Sequence, residues 1–397
     1  MRFTFAGPGR IVFGPGVVSE LPGIVAGFGE RVLLVTGGHP GRVQAVVDGL
    51  GAAGLCVTAY AVTGEPTVAM AEAGARLARA EGCQVVVSVG GGSVMDAGKA
   101  VAALTTNPGD PYDYLEVVGR GLPLKHAPLP HVAAPTTAGT GAEATANAVL
   151  LSPEHQVKVS LRSPGMLPDV ALADPELTYG LPPEITAATG LDALTQLLEA
   201  FVSGYKNPMT DALCRQGLHC AARSLERAFQ NGSDAAARED MSLAALLSGL
   251  ALANAKLGAV HGLAAPLGGE FPAPHGFVCA RLLPLVMAAN VRALGARDPD
   301  SAALAAFAEA GRILTGESAG TDAPDAPDAP DVTDAAAGVR WVKGLCDRLG
   351  TPPLSEFGMT AAAVPGIAAK GLAASSMRGN PVQLSQGELE AILRAAL

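Results

Sequence analysis

The sequence predicts an α/β N-terminal domain built on a parallel sheet, followed by an all-α helical domain. Three observations carry that expectation. The first 180 or so residues alternate short β-branched runs with helical stretches that open after Gly, Pro or a capping residue. From Pro183 onward strand-like runs nearly vanish and helical periodicity dominates. A chain of 397 residues also exceeds the usual size of one hydrophobic core. The boundary is expected near residue 182, which gives domains 1–182 and 183–397.

In the first domain RVLLVT (31–36), LCVTAYAV (55–62) and QVVVSVG (84–90) are continuous apolar runs, the pattern of strands covered on both faces by helices. Amphipathic segments at 41–53 and 67–81 lie between them. In the second, EITAATGLDALTQLLEAFVSGY and MSLAALLSGLALANAKLGAVHG read as helices punctuated by Pro and Gly. Residues 320–338 repeat Ala-Pro-Asp, which neither packs nor continues a helix, so a dispensable surface loop is expected there.

Hydrophobic residues at 49% and charged ones at 16% suit a soluble globular protein. A net charge of -10 argues against nucleic acid and anionic membrane, both of which reward basic patches, and leaves a small molecule as the expected partner. The six cysteines form no CxxC pair and read as buried thiols. The N-terminus lacks a signal-peptide h-region, and no apolar run is long enough and free enough of Gly and polar residues to span a membrane. A cytoplasmic location is the default.

Two segments carry the chemistry of a nucleotide site. QVVVSVG runs into Gly90, Gly91, Gly92 and Ser93 before a helix, and such a turn lets the backbone approach a pyrophosphate at a helix N-terminus. Ser93 and Asp96 also have the spacing of a helix-capping pair. One crossover later, in HVAAPTTAGTGAEAT, Thr136, Thr137 and Thr140 follow an apolar run, where the carboxyl edge of an open sheet takes its ligand; an ordinary Thr/Gly loop is the alternative. Further on, Asp192 and Gln196 are four apart on one helix face. His261 ends one predicted helix and His275 begins the next, with Pro266, Gly268, Gly269, Pro272 and Pro274 forcing a turn between them.

GGGSVMDAGK, PTTAGTGAE, TGLDALTQLLEAF and GAVHGLAAPLGGEFPAPHG, in this order, resemble the signature segments of the iron-containing (group III) alcohol dehydrogenase family, whose fold is also that of dehydroquinate synthase-like enzymes. The resemblance extends to the opening GRIVFGPGVVSELP and the late SSMRGNP. It implies an NAD(P)-dependent oxidoreductase, a homodimer, with nucleotide and metal held between a dinucleotide-binding and a helical domain. It also implies that Gly90, Gly91, Gly92 and Ser93 bind the pyrophosphate, that Asp96 lies toward the nicotinamide, that Thr136, Thr137 and Thr140 line the nucleotide site, and that Lys158 contacts the nicotinamide ribose. Thr36, Gly37 and Gly38 offer no acidic side chain at the strand end, so both NAD(H) and NADP(H) stay open.

The resemblance further implies a divalent iron or zinc on the positions of Asp192, Gln196, His261 and His275, where the family has Asp and three His. Gln196 is a departure, since an amide oxygen is a poor replacement for imidazole. Three ligands suffice for a catalytic zinc, and a metal-free polar cluster that binds substrate is the alternative. Ala265 is a second departure, standing where the family commonly has a proton-relaying histidine. In the polar-cluster alternative His261, His275, Gln196 and Lys158 perform the catalysis. PGRIVFGPG and KVSLRSP also resemble maleylacetate reductases, which makes an anionic oxo substrate held by Lys158 and Arg162 an alternative to a small aldehyde. A lyase or cyclase of the dehydroquinate synthase-like type, or an inactive nucleotide-binding protein, are the readings from other classes.

Overall fold

A computed structural model describes residues 2–155, 157–316 and 332–397. By internal packing the chain separates into two compact units, Ala6–Tyr179 and Gly180–Leu397, the latter joined by the N-terminal residues up to Phe5.

The first unit contains β1 (Arg10–Phe13), β2 (Arg31–Gly37), β3 (Cys56–Val62), β4 (Val85–Gly90), β5 (His131–Pro135), β6 (Asn147–Ser152), β7 (Val157–Arg162) and β8 (Val170–Ala173). Its α-helices are α1 (Leu21–Ala26), α2 (Gln44–Ala52), α3 (Val68–Ala80) and α4 (Gly92–Thr106). Among the described residues six strands form one sheet in the order β1-β8-β5-β4-β2-β3, with every neighbouring pair parallel. The strands β6 and β7 form a separate antiparallel hairpin.

Period-2 alternation along β2 explains how the sheet acquires two cores. Val32 and Leu34 join Leu21 and Val25 of α1 and Leu50 of α2 on one face. On the other, Leu33 and Val35 join Ala78 of α3 and Met95 and Val101 of α4. The run LCVTAYAV behaves differently from expectation. As β3 it is an edge strand in which only Val62 is buried, and Cys56, expected to be a buried thiol, is exposed. Helices do lie over both faces, with Val57 toward one core and Tyr60 and Val62 toward the other, but as the sheet's edge β3 pairs on one side only and stays partly exposed.

A polar seam crosses the centre of this unit. Ser88 Oγ lies 2.9 Å from His131 Nε2 across β4 and β5. A Cβ on Gly98 would come within 1.8 Å of that Ser88 oxygen, so glycine is what lets α4 lie on the pair. The Lys99 ammonium is fully covered and bonds Asp96 at 3.0 Å, the Ala142 carbonyl at 3.0 Å and Thr145 at 2.9 Å, tying α4 to the segment after β5.

The second unit is helical, with α5 (Pro183–Val202), α6 (Pro208–Gln230), α7 (Ala235–Ala255), α8 (Ala259–Glu270), α9 (His275–Arg297), α10 (Ala302–Thr315), α11 (Val332–Arg348), α12 (Val364–Ala373) and α13 (Gln386–Ala396). Helix α5 is buried without interruption from Gly190 to Val202, the signature of a helix enclosed on all sides. Glycines set its closest approaches. A Cβ on Gly276 would meet the Ala188 carbonyl oxygen at 2.1 Å, so the first turn of α9 rests directly on the α5 backbone.

The break that positions His261 lies elsewhere than the sequence suggested. His261 is in the first turn of α8, which runs through Pro266 to Glu270. The sharp bend, 100°, falls between α7 and α8, where Lys256 adopts a left-handed φ of 61° and rests its ammonium 3.7 Å from the Tyr205 ring centroid. Pro266 gives up one backbone donor without ending the helix. Two further corrections concern the second unit. Helix α9 is long and apolar enough to cross a membrane by length and composition, contrary to expectation, but 72% of the relevant window is buried inside the fold, which accounts for its apolarity. Residues 332–338, expected to be loop, open α11; residues 320–331 lie outside the described residues.

The buried seam makes a pH-dependent prediction. Burial, with the Lys99 charge in support, pushes the His131 imidazole down to about 3 from 6.5. Between those values the unfolded chain binds the extra proton, so this contribution to stability is full above pH 6.5 and is lost as the pH falls toward 3. Glu143, raised by burial from 4.5 to about 7, acts with the opposite sign across its own range, so the difference from a His131→Asn variant isolates the histidine. Denaturant stability of the parent should fall more steeply on acidification than that of the variant. Parallel curves would show that His131 titrates normally in the fold.

Candidate functional site

The glycine turn sits where β4 ends and α4 begins. Gly91 is the N-cap of α4, and no side chain bonds the first N–H groups of the helix. Those of Gly92 and Ser93 have no intrahelical partner either, so they remain available to an anion. Ser93 lies inside the first turn and does not cap, contrary to the capping-pair expectation, because the chain turns helical one residue earlier. Asp96 bonds the Val149 N–H at 3.1 Å and Lys99, which anchors α4 to β6.

The structure brings both predicted nucleotide segments together. Gly90 and Pro135 are register partners on β4 and β5, and the Thr136 N–H donates to the Gly90 carbonyl at 2.8 Å. A Cβ on Gly91 would touch Thr137 at 3.4 Å, and one on Gly92 would meet Thr140 at 2.9 Å. Thr136, Thr137 and Thr140 are partly exposed while Ala138 and Gly139 between them are buried, so the three hydroxyl residues share the accessible side. Lys158 is not joined to this turn. It sits on β7, largely covered, and pairs with Glu65 at 2.9 Å. Arg162 is exposed and pairs with Glu116 at 3.1 Å, as a surface strand residue would.

The second cluster lies within the helical unit. Asp192 of α5, His261 of α8, and His275 and Cys279 of α9 each present a ligand atom, all within 4.8 Å of one another. His261 Nε2 is 3.3 Å from Asp192 Oδ1, and His275 Nε2 is 3.7 Å from the same oxygen. Asp192 is 2% exposed, and its Oδ1 has no hydrogen-bond partner. A buried carboxylate oxygen without a well-formed hydrogen bond is costly unless positive charge meets it, here from the two imidazoles or from a metal. The donor set therefore fits a divalent metal: one carboxylate and two imidazoles converge on one point, and the orphaned oxygen faces it.

Gln196 behaves unlike a ligand. Its Oε1 accepts from the Ser248 hydroxyl at 2.9 Å and its Nε2 lies 3.5 Å from Asp192 Oδ2, so it holds the far side of the carboxylate. Sequence reasoning missed Glu199 and Cys279. Glu199 is one helical step beyond Gln196 on the face of Asp192, and its Oε2 lies 2.6 Å from His261 Nδ1 while Oε1 accepts the Val260 N–H at 2.7 Å. It thus caps α8 from a neighbouring helix and fixes the imidazole so that Nε2 faces the cluster. Cys279 follows His275 by one turn, a spacing visible in the sequence once His275 is taken as a helix start.

Electrostatics agree with the geometry. For Asp192, burial opposes ionisation, but the imidazoles of His275 and His261 outweigh it and hold the carboxyl below its ordinary range. For His261, burial opposes the proton, and the Cys279 sulfur, Asp192 and Glu199 outweigh it, raising the group well above the usual value. The Cys279 sulfur raises His275 in the same direction. A site that draws positive charge this strongly is equally suited to a metal cation.

Residues 8–175 match the family described as iron-containing alcohol dehydrogenase, and residues 186–397 match the C-terminal part of that family. The chain is 35% identical to the 1,3-propanediol dehydrogenase of Klebsiella pneumoniae over 407 residues, covering 99% of this chain and 98% of that protein. It is 41% identical over 288 residues to alcohol dehydrogenase 4 of Saccharomyces cerevisiae, covering 70% and 74%. Among solved structures, a 1,3-propanediol oxidoreductase superposes with a TM-score of 0.90 at 34% identity over 100% of both chains. The sulfoacetaldehyde reductase of Bifidobacterium kashiwanohense, solved in complex with NAD+, gives a TM-score of 0.84 at 28% identity over 99% and 98% of the two chains.

A parallel α/β unit with a bare helix N-terminus, and a helical unit with a buried carboxylate–imidazole cluster, are the working parts of a dinucleotide-dependent oxidoreductase acting on alcohols and aldehydes. The class is that of enzymes using NAD(H) with a metal ion. Within it, the chain belongs to the iron-containing alcohol dehydrogenase family. The lyase or cyclase and inactive-protein readings are not favoured by these relatives.

Two predictions test the parts separately. Gly91→Val places a side chain where the pyrophosphate would approach, while its Cβ meets Thr137 only at ordinary contact distance. Nucleotide affinity should collapse with the thermal midpoint nearly unchanged; unaltered affinity would move the phosphate site elsewhere. Glu199→Gln keeps an acceptor for Val260 but removes the carboxylate from His261. Turnover should fall about 10–100-fold with little change in denaturant midpoint, and an equal loss of stability and turnover would make Glu199 a purely structural cap.

Proposed function

We propose that this enzyme interconverts small primary alcohols or diols and their aldehydes, working chiefly as a reductase. The single observation that carries the reading is the buried convergence of His261 and His275 on an Asp192 oxygen that has no hydrogen-bond partner. The 1,3-propanediol dehydrogenase relative, which covers nearly the whole chain, supports a small uncharged substrate. The anionic alternative loses its cations, since Lys158 and Arg162 are paired with Glu65 and Glu116.

When bound, the nicotinamide exchanges the hydride with substrate carbon, and the divalent metal polarises the substrate oxygen. The chain's own residues do the rest in this reading. Gly90, Gly91, Gly92 and Ser93 give the pyrophosphate a backbone cradle, and Thr136, Thr137 and Thr140 offer hydroxyls beside it. Asp96 secures the helix that carries the cradle. Asp192, His261 and His275 hold the metal, Gln196 steadies the Asp192 carboxylate, and Glu199 sets the His261 tautomer by accepting from Nδ1. Ala265 carries no proton-transfer group, so this position takes no part in proton transfer. The absence of an acid at Thr36 and Gly37 is compatible with either NAD(H) or NADP(H). The reading extends to a cytoplasmic homodimer, which light scattering on the purified protein tests for stoichiometry.

The experiment is oxidation of NADH and NADPH with a series of small aldehydes, before and after chelation and after return of zinc or iron(II). Chelation should cost at least about a hundredfold in rate, the scale of several kcal/mol of charge stabilisation, and metal should restore it. His261→Ala should stay slow in both states. Full activity in metal-free protein would transfer substrate polarisation to hydrogen bonds from Gln196, His261 and His275.

A further inference from the structure

Cys279 is the group in the helical unit that the family's chemistry leaves without a task. Its sulfur lies 3.6 Å from His275 Nε2 and 3.8 Å from His261 Nε2, and it is buried. Both imidazole nitrogens also face Asp192 Oδ1, at 3.3 and 3.7 Å. These four separations can be compared with the edges of a tetrahedron around one ion. Bonds of about 2.0–2.1 Å to nitrogen or oxygen and about 2.3 Å to sulfur make an N–O edge of roughly 3.3 Å and an N–S edge of roughly 3.5 Å. The observed edges lie within a few tenths of an ångström of those values. The shared oxygen, Asp192 Oδ1, is buried and has no hydrogen-bond partner, as suits an atom left for a cation.

We infer that Cys279, and not Gln196, supplies the fourth protein ligand of the metal, so that the ligand set is Asp192, His261, His275 and Cys279, selective for zinc over iron(II). The inference rests on the metal-site reading given above and adds to it a ligand and a metal preference. Gln196 is turned away from the role, since its carbonyl oxygen, the atom of the amide that ligates, lies toward Ser248 while its NH2 end faces Asp192. The helical register does the rest. Cys279 stands four residues after His275 on α9, so the two side chains leave the helix on one face, and Gly276 lets that face rest on α5 beside Asp192. Thiolate is a soft donor, and for a mixed N, O and S set the order of divalent affinity runs from iron(II) up to zinc.

The test is titration of the intact metal-free protein with cobalt(II) and with zinc. Cobalt should produce a thiolate-to-metal charge-transfer absorption in the near ultraviolet, present in the parent and in Gln196→Ala and missing in Cys279→Ser. Zinc affinity of Cys279→Ser should drop by more than the roughly 10–100-fold that loss of an outer hydrogen-bond partner costs. The parent should take up zinc in preference to iron(II) when both are offered at equal concentration under anaerobic conditions. Circular dichroism and nucleotide binding by Cys279→Ser serve as fold controls, and if that variant is misfolded the absorption of the parent alone decides. Cobalt binding without the thiolate absorption overturns the inference, as does unchanged zinc affinity in Cys279→Ser. If His261→Ala still weakens zinc in that case, the metal site stands without the cysteine. If neither variant changes zinc binding, both the inference and the metal-site reading fail.

Discussion

A carboxylate buried in an apolar helix is the constraint around which the helical unit is arranged. Asp192 sits in a stretch of α5 that is covered from Gly190 to Val202, where an isolated charge is costly. Three groups of neighbours answer it. Gln196 lies beside one oxygen, two imidazoles face the other, and Glu199 secures one of those imidazoles from behind. Placing the partners requires backbone contact that side chains would prevent, which is why Gly276 lies against the Ala188 carbonyl and Gly258 lies against the Glu199 carboxylate. The site is thus the solution to an electrostatic problem posed by one residue.

The nucleotide unit works by the opposite means. Its distinguishing feature is the start of α4, where no side chain caps the first backbone N–H groups. The Ser88–His131 pair and the fully covered Lys99 hold α4 and the threonine segment in place from below. Polar groups here hold the frame, and the proposed cradle is made of peptide N–H groups with three threonines beside it.

Much of this was legible in the sequence because it depends on local patterns. Strand runs ending in glycines placed the turn, and the four-residue spacing of Asp192 and Gln196 put both on one face. What escaped depended on tertiary context. His261 looked like a helix end because Pro266 and the glycines after it favour a turn, yet the true break required Lys256 to take a backbone conformation that its residue type does not advertise. LCVTAYAV gave no sign of its exposed edge because apolar composition records hydrophobicity and not the number of neighbouring strands. Glu199 and Cys279 were invisible as site residues because each matters only through a partner on another helix.

The length of chain between partners has a consequence for how the protein assembles. The contact of Glu199 with His261 closes 62 residues, and that of His261 with Cys279 closes a further 18. Contacts so distant in sequence carry a loop-closure cost, which the packing of the intervening helices must offset. A fragment lacking α5, α8 or α9 presents only part of the cluster, so an ion held there binds the finished fold more tightly than its precursors. By mass action such an ion draws the whole helical unit toward completion. The cation then acts as a folding clasp, and newly made chains starved of it would dwell longer in open, protease-sensitive forms.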